Sequence, residues 1–227
     1  MYRKTLVAGT VLALFAGVSL AQSFDVVVVG SGGAGLSAAI MAKEAGSSVV
    51  VLEKMPYLGG NSNFASGGLN AACTKQQIAG GVTNDSPEIF YQDTMKGGHN
   101  LNNPALLKTL TENARYAEEW LVDLGAKFCF RKGRGGGQSV ARGHGPCDGS
   151  AVGPEVLRVL TARLKADKVE ILKNHQVVDI LMKDGAVAGV KVKTAKGTET
   201  IDAKAVVLAT GGFGANHAMV EKYRPEL

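Results

Sequence analysis

The sequence predicts an α/β domain built on a central parallel sheet, with a small β-meander as a crossover layer. Three observations lead there. The run Phe24-Asp25-Val26-Val27-Val28-Val29 is almost wholly β-branched, which suits a strand buried on both faces. It stops at Gly30, and residues 34–45 then place Leu36, Ile40 and Met41 at helical spacing before a second apolar run at 48–52. Such a strand–turn–helix–strand unit crosses over right-handedly, so its two strands are parallel. Lastly, short apolar runs at 177–182, 187–194 and 199–201 are separated by Asp184-Gly185 and Lys196-Gly197, both hairpin signals.

Composition supports a packed protein. Of 227 residues, 45% are hydrophobic and 20% charged, which excludes disorder over most of the chain. The 30 glycines fall in short runs without a three-residue period, so a collagen-like repeat is excluded as well. A net charge of +5 could attract a polyanion, but only Arg131, Lys132, Arg134 and Arg142 form a loose group, and aromatics for base stacking are few. No nucleic-acid partner is expected. Cys73, Cys129 and Cys147 form no CxxC; one bridge is allowed, and Cys129 with Cys147 is the nearer pair, but spacing leaves the pairing open.

Residues 1–21 read as a secretory leader. Arg3 and Lys4 precede an apolar run from Leu6 to Leu20, and Ser19-Leu20-Ala21 offers small residues for cleavage. The run is slightly short for a membrane span and carries Gly9 and Gly17, so no stable insertion is expected after cleavage. The flanking pattern points to a periplasmic destination.

Along the mature chain, residues 55–81 are rich in Gly, Asn and Ser and read as loops and short turns. Residues 87–95 and 104–124 read as helices with Pro at their starts, the second aligning Leu106, Leu107, Leu110, Ala114, Ala117 and Leu121 as a packing face. Residues 131–150, with seven glycines, read as an exposed or ligand-covering loop. Helical spacing returns at 151–164. The runs at 169–172 and 205–208 complete a parallel sheet with those at Phe24 and Ser48.

The chemistry lies in the turns. Gly30-Ser31-Gly32-Gly33-Ala34-Gly35 fits GxGxxG after a strand and at the opening of a helix, a Rossmann-like dinucleotide fingerprint. Gly30 permits the tight turn, Gly32 clears a path for pyrophosphate, and Gly35 lets helix and strand pack closely. Glu53 ends the second strand, where a carboxylate can accept the ribose hydroxyls. NAD and FAD share this fingerprint. Glu53-Lys54, Gly59-Gly60-Asn61-Ser62 and Ala65-Ser66-Gly67-Gly68 favour flavin: Gly67 and Gly68 give a wall of bare backbone, and Asn61 and Ser62 add side-chain hydrogen bonds. Thr210 and Gly211, after the last strand, offer a further close approach.

The stretches VVVVGSGGAGLSAAI, EKMPYLGGNSNFASGGLNA, DGSAVGPEVLRVL and AVVLATGGFGAN together resemble the flavoprotein family of fumarate reductases and succinate dehydrogenases, of the periplasmic flavocytochrome c fumarate reductase or urocanate reductase type. The resemblance implies FAD contacts at Ala34, Glu53, Asn61, Ser66, Gly67, Val177 and Thr210, with Gly67 also near the substrate. It implies hydride transfer from reduced flavin to the double bond of a small unsaturated carboxylate, with a separate cytochrome or flavoprotein as electron donor.

In that family the substrate clamps come from a capping domain and a closing C-terminal segment, both expected after Leu227. The expected organisation is therefore a leader at 1–21 and an FAD-binding domain at 22–227, cut before the cap, with no catalytic residue assigned. A non-catalytic flavin module from a split or truncated gene, needing a second chain, is the alternative; an NAD-binding dehydrogenase is a third. Members tend to read Ser-His-Arg-Pro-Thr-Gly-Gly where this chain has Gly143-His144-Gly145-Pro146-Cys147-Asp148-Gly149, so His144 reads as a hydrogen-bonded loop residue. His99, His175 and His217 have no metal-ligand spacing, and no metal is expected.

Overall fold

The computed structural model describes residues 23–226, so the expected leader lies outside the described residues. A six-stranded sheet forms from β1 (Ser23–Val29), β2 (Val49–Glu53), β6 (Glu170–Lys173), β7 (Gln176–Lys183), β8 (Ala186–Thr194) and β9 (Gly197–Leu208) in the order β6-β2-β1-β9-β8-β7. The first four strands in that order are parallel, with Val27 opposite both Val50 and Val206 and Val51 opposite Ile171. These are the four strands the apolar runs predict.

Alternation along β1 and β2 sends successive side chains to opposite faces. Val28, Val49 and Val51 join one core with Leu36 and Ile40 of α1 (Gly33–Glu44) and Leu160 and Leu164 of α5 (Val152–Ala166). Val27, Val29, Val50 and Leu52 face the other way, onto Val190, Val192, Ile201 and Ala203 of the meander. The parallel sheet is therefore sandwiched between helices and β-hairpins. The meander is not a separate sheet. Residues 199–201 and 205–208 belong to one long strand, whose first half pairs antiparallel with β8 and whose second half pairs parallel with β1.

A second sheet stands beside the first. It contains β3 (Leu69–Asn70), β5 (Gly143–Pro146) and β4 (Phe128–Arg131), antiparallel in the order β3-β5-β4. Thus part of the expected loop at 131–150 is a central strand, with Arg142 and His144 fully buried. Glycine richness conceals it because β5 has almost no aliphatic side chain to signal burial. A disulfide joins Cys129 and Cys147 across the edge of this sheet.

The other helices follow their caps. Ser86 accepts the Ile89 N–H at the start of α3 (Pro87–Gly97), and Asn103 accepts the N–H groups of Ala105 and Leu106 at the start of α4 (Pro104–Asp123). The packing face of α4 coincides with the expected one only at Leu107 and Leu121. Leu107, Thr111, Glu118 and Leu121 are buried, while Leu106, Leu110 and Ala117 are exposed. Short helices α2 (Lys75–Ala79) and α6 (His217–Tyr223) interrupt stretches without helical periodicity. No helix among the described residues is long and apolar enough to cross a membrane.

The disulfide spans 18 positions and is the one covalent tie on the second sheet. Replacing both Cys129 and Cys147 with Ala should lower the unfolding free energy by about 3 kcal/mol, the loop-closure scale for that length. Chemical denaturation checks this: reductant should shift the wild-type midpoint and leave the variant's unchanged.

Candidate cofactor-binding site

The turn after β1 is shaped by two close backbone approaches. Gly30 has φ +105°, and its N–H donates to the Leu52 carbonyl at 2.8 Å. A β-carbon on Gly30 would collide with the Ala209 carbonyl oxygen, and one on Gly35 would collide with the carbonyl oxygen of Gly30 itself. Ala209 N–H in turn donates to Val29 at 2.9 Å. The loop after β9 therefore sits directly on the fingerprint turn, which brings Thr210 and Gly211 beside it.

Helix α1 opens from this turn with an uncapped end. Gly32 offers no capping side chain, and no acidic residue lies in the first turn. Ser62 Oγ accepts the Gly33 N–H at 3.0 Å, while the N–H groups of Ala34 and Gly35 meet no side-chain acceptor among the described residues. The partial positive charge of the helix start is left for an anion.

Glu53 is buried at the end of β2. Its Oε2 accepts from Ser31 N–H at 3.1 Å and Ser31 Oγ–H at 2.6 Å, and its Oε1 accepts from Met55 N–H at 2.8 Å. A carboxylate has about four acceptor positions, so capacity remains for a sugar hydroxyl. Ser31 Oγ also accepts the Gly59 N–H at 3.1 Å. One serine thus links the fingerprint, the acid and the loop before Asn61. Ser31 occupies an unspecified position of GxGxxG, so the motif does not single it out; its hydroxyl between two glycines is the signal the sequence offers.

The remaining expected residues arrange around this centre. His175 N–H donates to the Glu53 carbonyl at 2.9 Å, and Val177 packs against the cluster containing Val50 and Leu52, which sets β7 beside the acid. Lys54 points outward. A 3₁₀ turn at Gly60–Phe64 leads from the start of α1 to the start of α5, where Gly153 N–H donates to Ala65 at 2.9 Å. Asn61, Ser66, Gly67, Gly68, Thr210 and Gly211 are all exposed, and a β-carbon on Gly60, Gly67 or Gly211 would meet open space. The Ser62 hydroxyl accepts the Gly33 N–H, which ties this loop to the start of α1 and leaves its own proton available.

Of the basic group, Arg142 is committed to structure. It pairs with Asp85 through Nε and Nη2 at 3.0 and 2.8 Å and with Asp93 through Nη1 at 2.7 Å, and it stacks on Phe90. Burial opposes its charge, yet these carboxylates hold its pKa above the ordinary value. His144 Nδ1 lies 3.0 Å from the Arg142 carbonyl and Nε2 lies 2.7 Å from Thr74 Oγ1. A carbonyl only accepts, so Nδ1 carries the proton; with burial lowering the pKa, the ring is neutral and satisfied. This is the hydrogen-bonded role read from the sequence.

Residues 25–227 match the family described as FAD binding domain. The chain belongs to this family. It is 49% identical over 207 residues to the NADH:fumarate oxidoreductase of Klebsiella pneumoniae (strain 342), covering 91% of this chain and 22% of that protein. It is 45% identical over 208 residues to a fumarate reductase (cytochrome) of Shewanella frigidimarina, covering 91% of this chain and 36% of that one. Among solved structures, the open conformation of a flavocytochrome c3 fumarate reductase superposes with a TM-score of 0.85 at 40% identity, over 90% of this chain and 36% of that chain. The chain thus spans 22% to 36% of the length of these relatives.

FAD is the cofactor of this domain. The residues fit it on their own terms: an uncapped helix start for pyrophosphate, a strand-end carboxylate with spare acceptor capacity, and bare backbone beside both. Among the described residues no group of His, Cys, Asp and Glu could hold a metal ion.

One buried acid lies apart from these loops. Glu118 on α4 accepts from Gln76 Nε2 at 3.1 Å, and its Oε2 has no partner. Burial pushes its pKa up to about 7, with Glu119 adding to the rise and Lys75 opposing it. Because the folded pKa lies above the unfolded one, the neutral form's contribution is present in acid and is lost as pH rises through about 7. Glu118→Gln should therefore flatten the fall in melting temperature between roughly pH 4.5 and 7. Parallel wild-type and variant curves in thermal denaturation would contradict that burial effect.

Proposed function

We propose that this domain is the FAD-binding part of an oxidoreductase that adds a hydride and a proton across the double bond of a small unsaturated carboxylate of the fumarate or urocanate kind. The single observation that carries the reading is the joining of Ser31, Glu53 and the uncapped start of α1 in one turn. Similarity to two fumarate-reducing proteins supports the substrate class.

In this reading Glu53 and the backbone near Val177 hold the adenosine end. Gly30, Gly32, Gly33, Ala34 and Gly35, with Thr210 and Gly211, hold the pyrophosphate. Lys54 lends positive charge at the rim. Gly60, Asn61 and Ser62 fix the next stretch of the cofactor, with the Ser62 hydroxyl holding the start of α1 in place. Ser66, Gly67 and Gly68 back the isoalloxazine, whose reduced form supplies the hydride. Leu208, Phe213 and Phe64 are 62%, 46% and 75% exposed near these loops, an apolar rim that suits a cover which excludes water during transfer. That cover, the substrate's main cationic clamps and the proton donor are assigned to protein outside residues 1–227.

A separate cytochrome or flavoprotein would supply electrons. Export to the periplasm is supported by the leader pattern at 1–21 and by the Cys129–Cys147 bridge, which persists in an oxidising compartment.

The test is the visible spectrum of the mature chain with and without added FAD. Flavin bands should co-elute with the folded protein; their absence at excess FAD would sink the reading. Glu53→Gln keeps the side-chain volume and should weaken FAD retention by about 1.5 to 3 kcal/mol, the scale of hydrogen bonds to a charged group. Equilibrium dialysis checks it, and unchanged affinity would remove Glu53 from the site.

A further inference from the structure

The second sheet carries a feature that neither the fold nor the dinucleotide turn requires. In an antiparallel sheet, residues two apart share a face. Arg131 stands opposite Gly143, which stands opposite Asn70 on its other side, and Cys129 stands opposite Gly145. Arg131, Gly143, Gly145 and Asn70 therefore lie on one face, while Phe130 and His144 lie on the other, ring against ring.

On the first face the central strand has no side chains at all. Its two glycines leave a floor of bare backbone, and Arg131 lies across it. A β-carbon at Gly145 would sit 2.6 Å from Arg131 Cζ and 2.8 Å from Nε, so the guanidinium fills the space a side chain at 145 would take. Gly68, Asn70, Arg131, Gln138 and Gly143 line a cleft of about 330 Å³ over this floor. Arg142, the neighbouring arginine, is consumed by two aspartates. Arg131 has no carboxylate partner among the described residues and remains half-buried in the cleft. An arginine held against backbone, with two side-chain amides beside it and no internal counter-ion, presents its planar fork to a planar anion.

We propose that this cleft is a carboxylate-binding trough in which Arg131 grips one carboxylate of the substrate, Asn70 and Gln138 supply amide hydrogen bonds, and the missing side chain at Gly145 lets the guanidinium lie flat. The inference rests on the flavin reading for its placement, since Gly68 on the trough wall follows directly on Gly67. It adds to that reading a cation belonging to this domain.

The experiment titrates fumarate by calorimetry into the full chain, loaded with FAD and separately without it, with sulfate and chloride as controls at matched ionic strength. Arg131→Ala should weaken fumarate binding at least about tenfold, as expected for loss of a bidentate charge-assisted pair. Gly145 has no left-handed backbone, so Gly145→Ala should fold normally, displace the flexible guanidinium and weaken binding to a similar degree. The two changes act on one contact and should not add. Arg131→Ala combined with Gly145→Arg returns a cation to the same space and should recover most of the affinity.

Fumarate binding unchanged by Arg131→Ala, sulfate binding as tightly as fumarate, or no fumarate binding in either form of the wild type would each overturn the trough. Loss of flavin bands in the wild type at excess FAD would overturn the flavin reading instead, and the cofactor-free titration would still decide the trough.

Discussion

Everything in the candidate site depends on how closely four stretches of backbone can approach at the end of β1. Gly30 is pressed on the Ala209 carbonyl, and Gly35 is pressed on Gly30. Both are contacts of main chain on main chain, and even a methyl group would force the elements apart. The consequence is positional. With α1 driven this close to the sheet, its uncapped start points over the strand ends, and the loop after β9 is carried to the same place. Ser31 then ties the turn to Glu53 and to Gly59, so an anion site, an acceptor for a sugar and the lead-in to the flavin-facing loop share one hydrogen-bonded centre.

Two kinds of core support that centre. Around the parallel sheet, both layers are aliphatic, and burial of Val, Leu and Ile supplies the driving force. The second sheet is organised differently. Arg142, Asp85, Asp93, Gln77, Thr74 and His144 form a polar interior in which nearly every donor finds an acceptor. Gln77 alone bridges Asp85 and the Ala141 carbonyl, while its own N–H goes to Thr74. Such a network adds little net stability, but breaking any one member strands a buried charge or dipole. It fixes where α2, the start of α3 and β5 stand, and through β5 it fixes the floor beneath Arg131.

The parallel sheet was legible because its signal is apolar and periodic. Unbroken β-branched runs with a glycine turn between them admit few other arrangements, and all four predicted strands pair as parallel neighbours. Glu53 was legible for a similar reason, since only the end of a strand after that fingerprint gives an acid a ribose to meet. The second sheet was not legible. β5 is Gly143–Pro146, with two glycines, a histidine and a proline, and it holds its place through partners on distant segments rather than through its own hydrophobicity. For α4, leucines at 106 and 110 point to a stripe that is exposed, because packing buries Thr111 and Glu118 instead, with Glu118 accepting from Gln76, and no hydropathy pattern records that choice.

The glycines of β5 and the glycines of the fingerprint do the same physical work at two places. At Gly30 and Gly35 the absent side chain admits backbone; at Gly145 it admits a guanidinium. In both cases the sheet or helix loses intrinsic stability, since glycine costs about 0.5 to 1 kcal/mol in a regular element relative to alanine. In the fingerprint, strand pairing on both sides compensates for that loss. In β5, compensation comes from β3 and β4 on either flank, from the His144 and Arg142 network beneath, and from the Cys129–Cys147 bridge at the edge. A strand this poor in side chains, yet this firmly held, is one whose surface must stay open, and Arg131 is the group laid on that open surface.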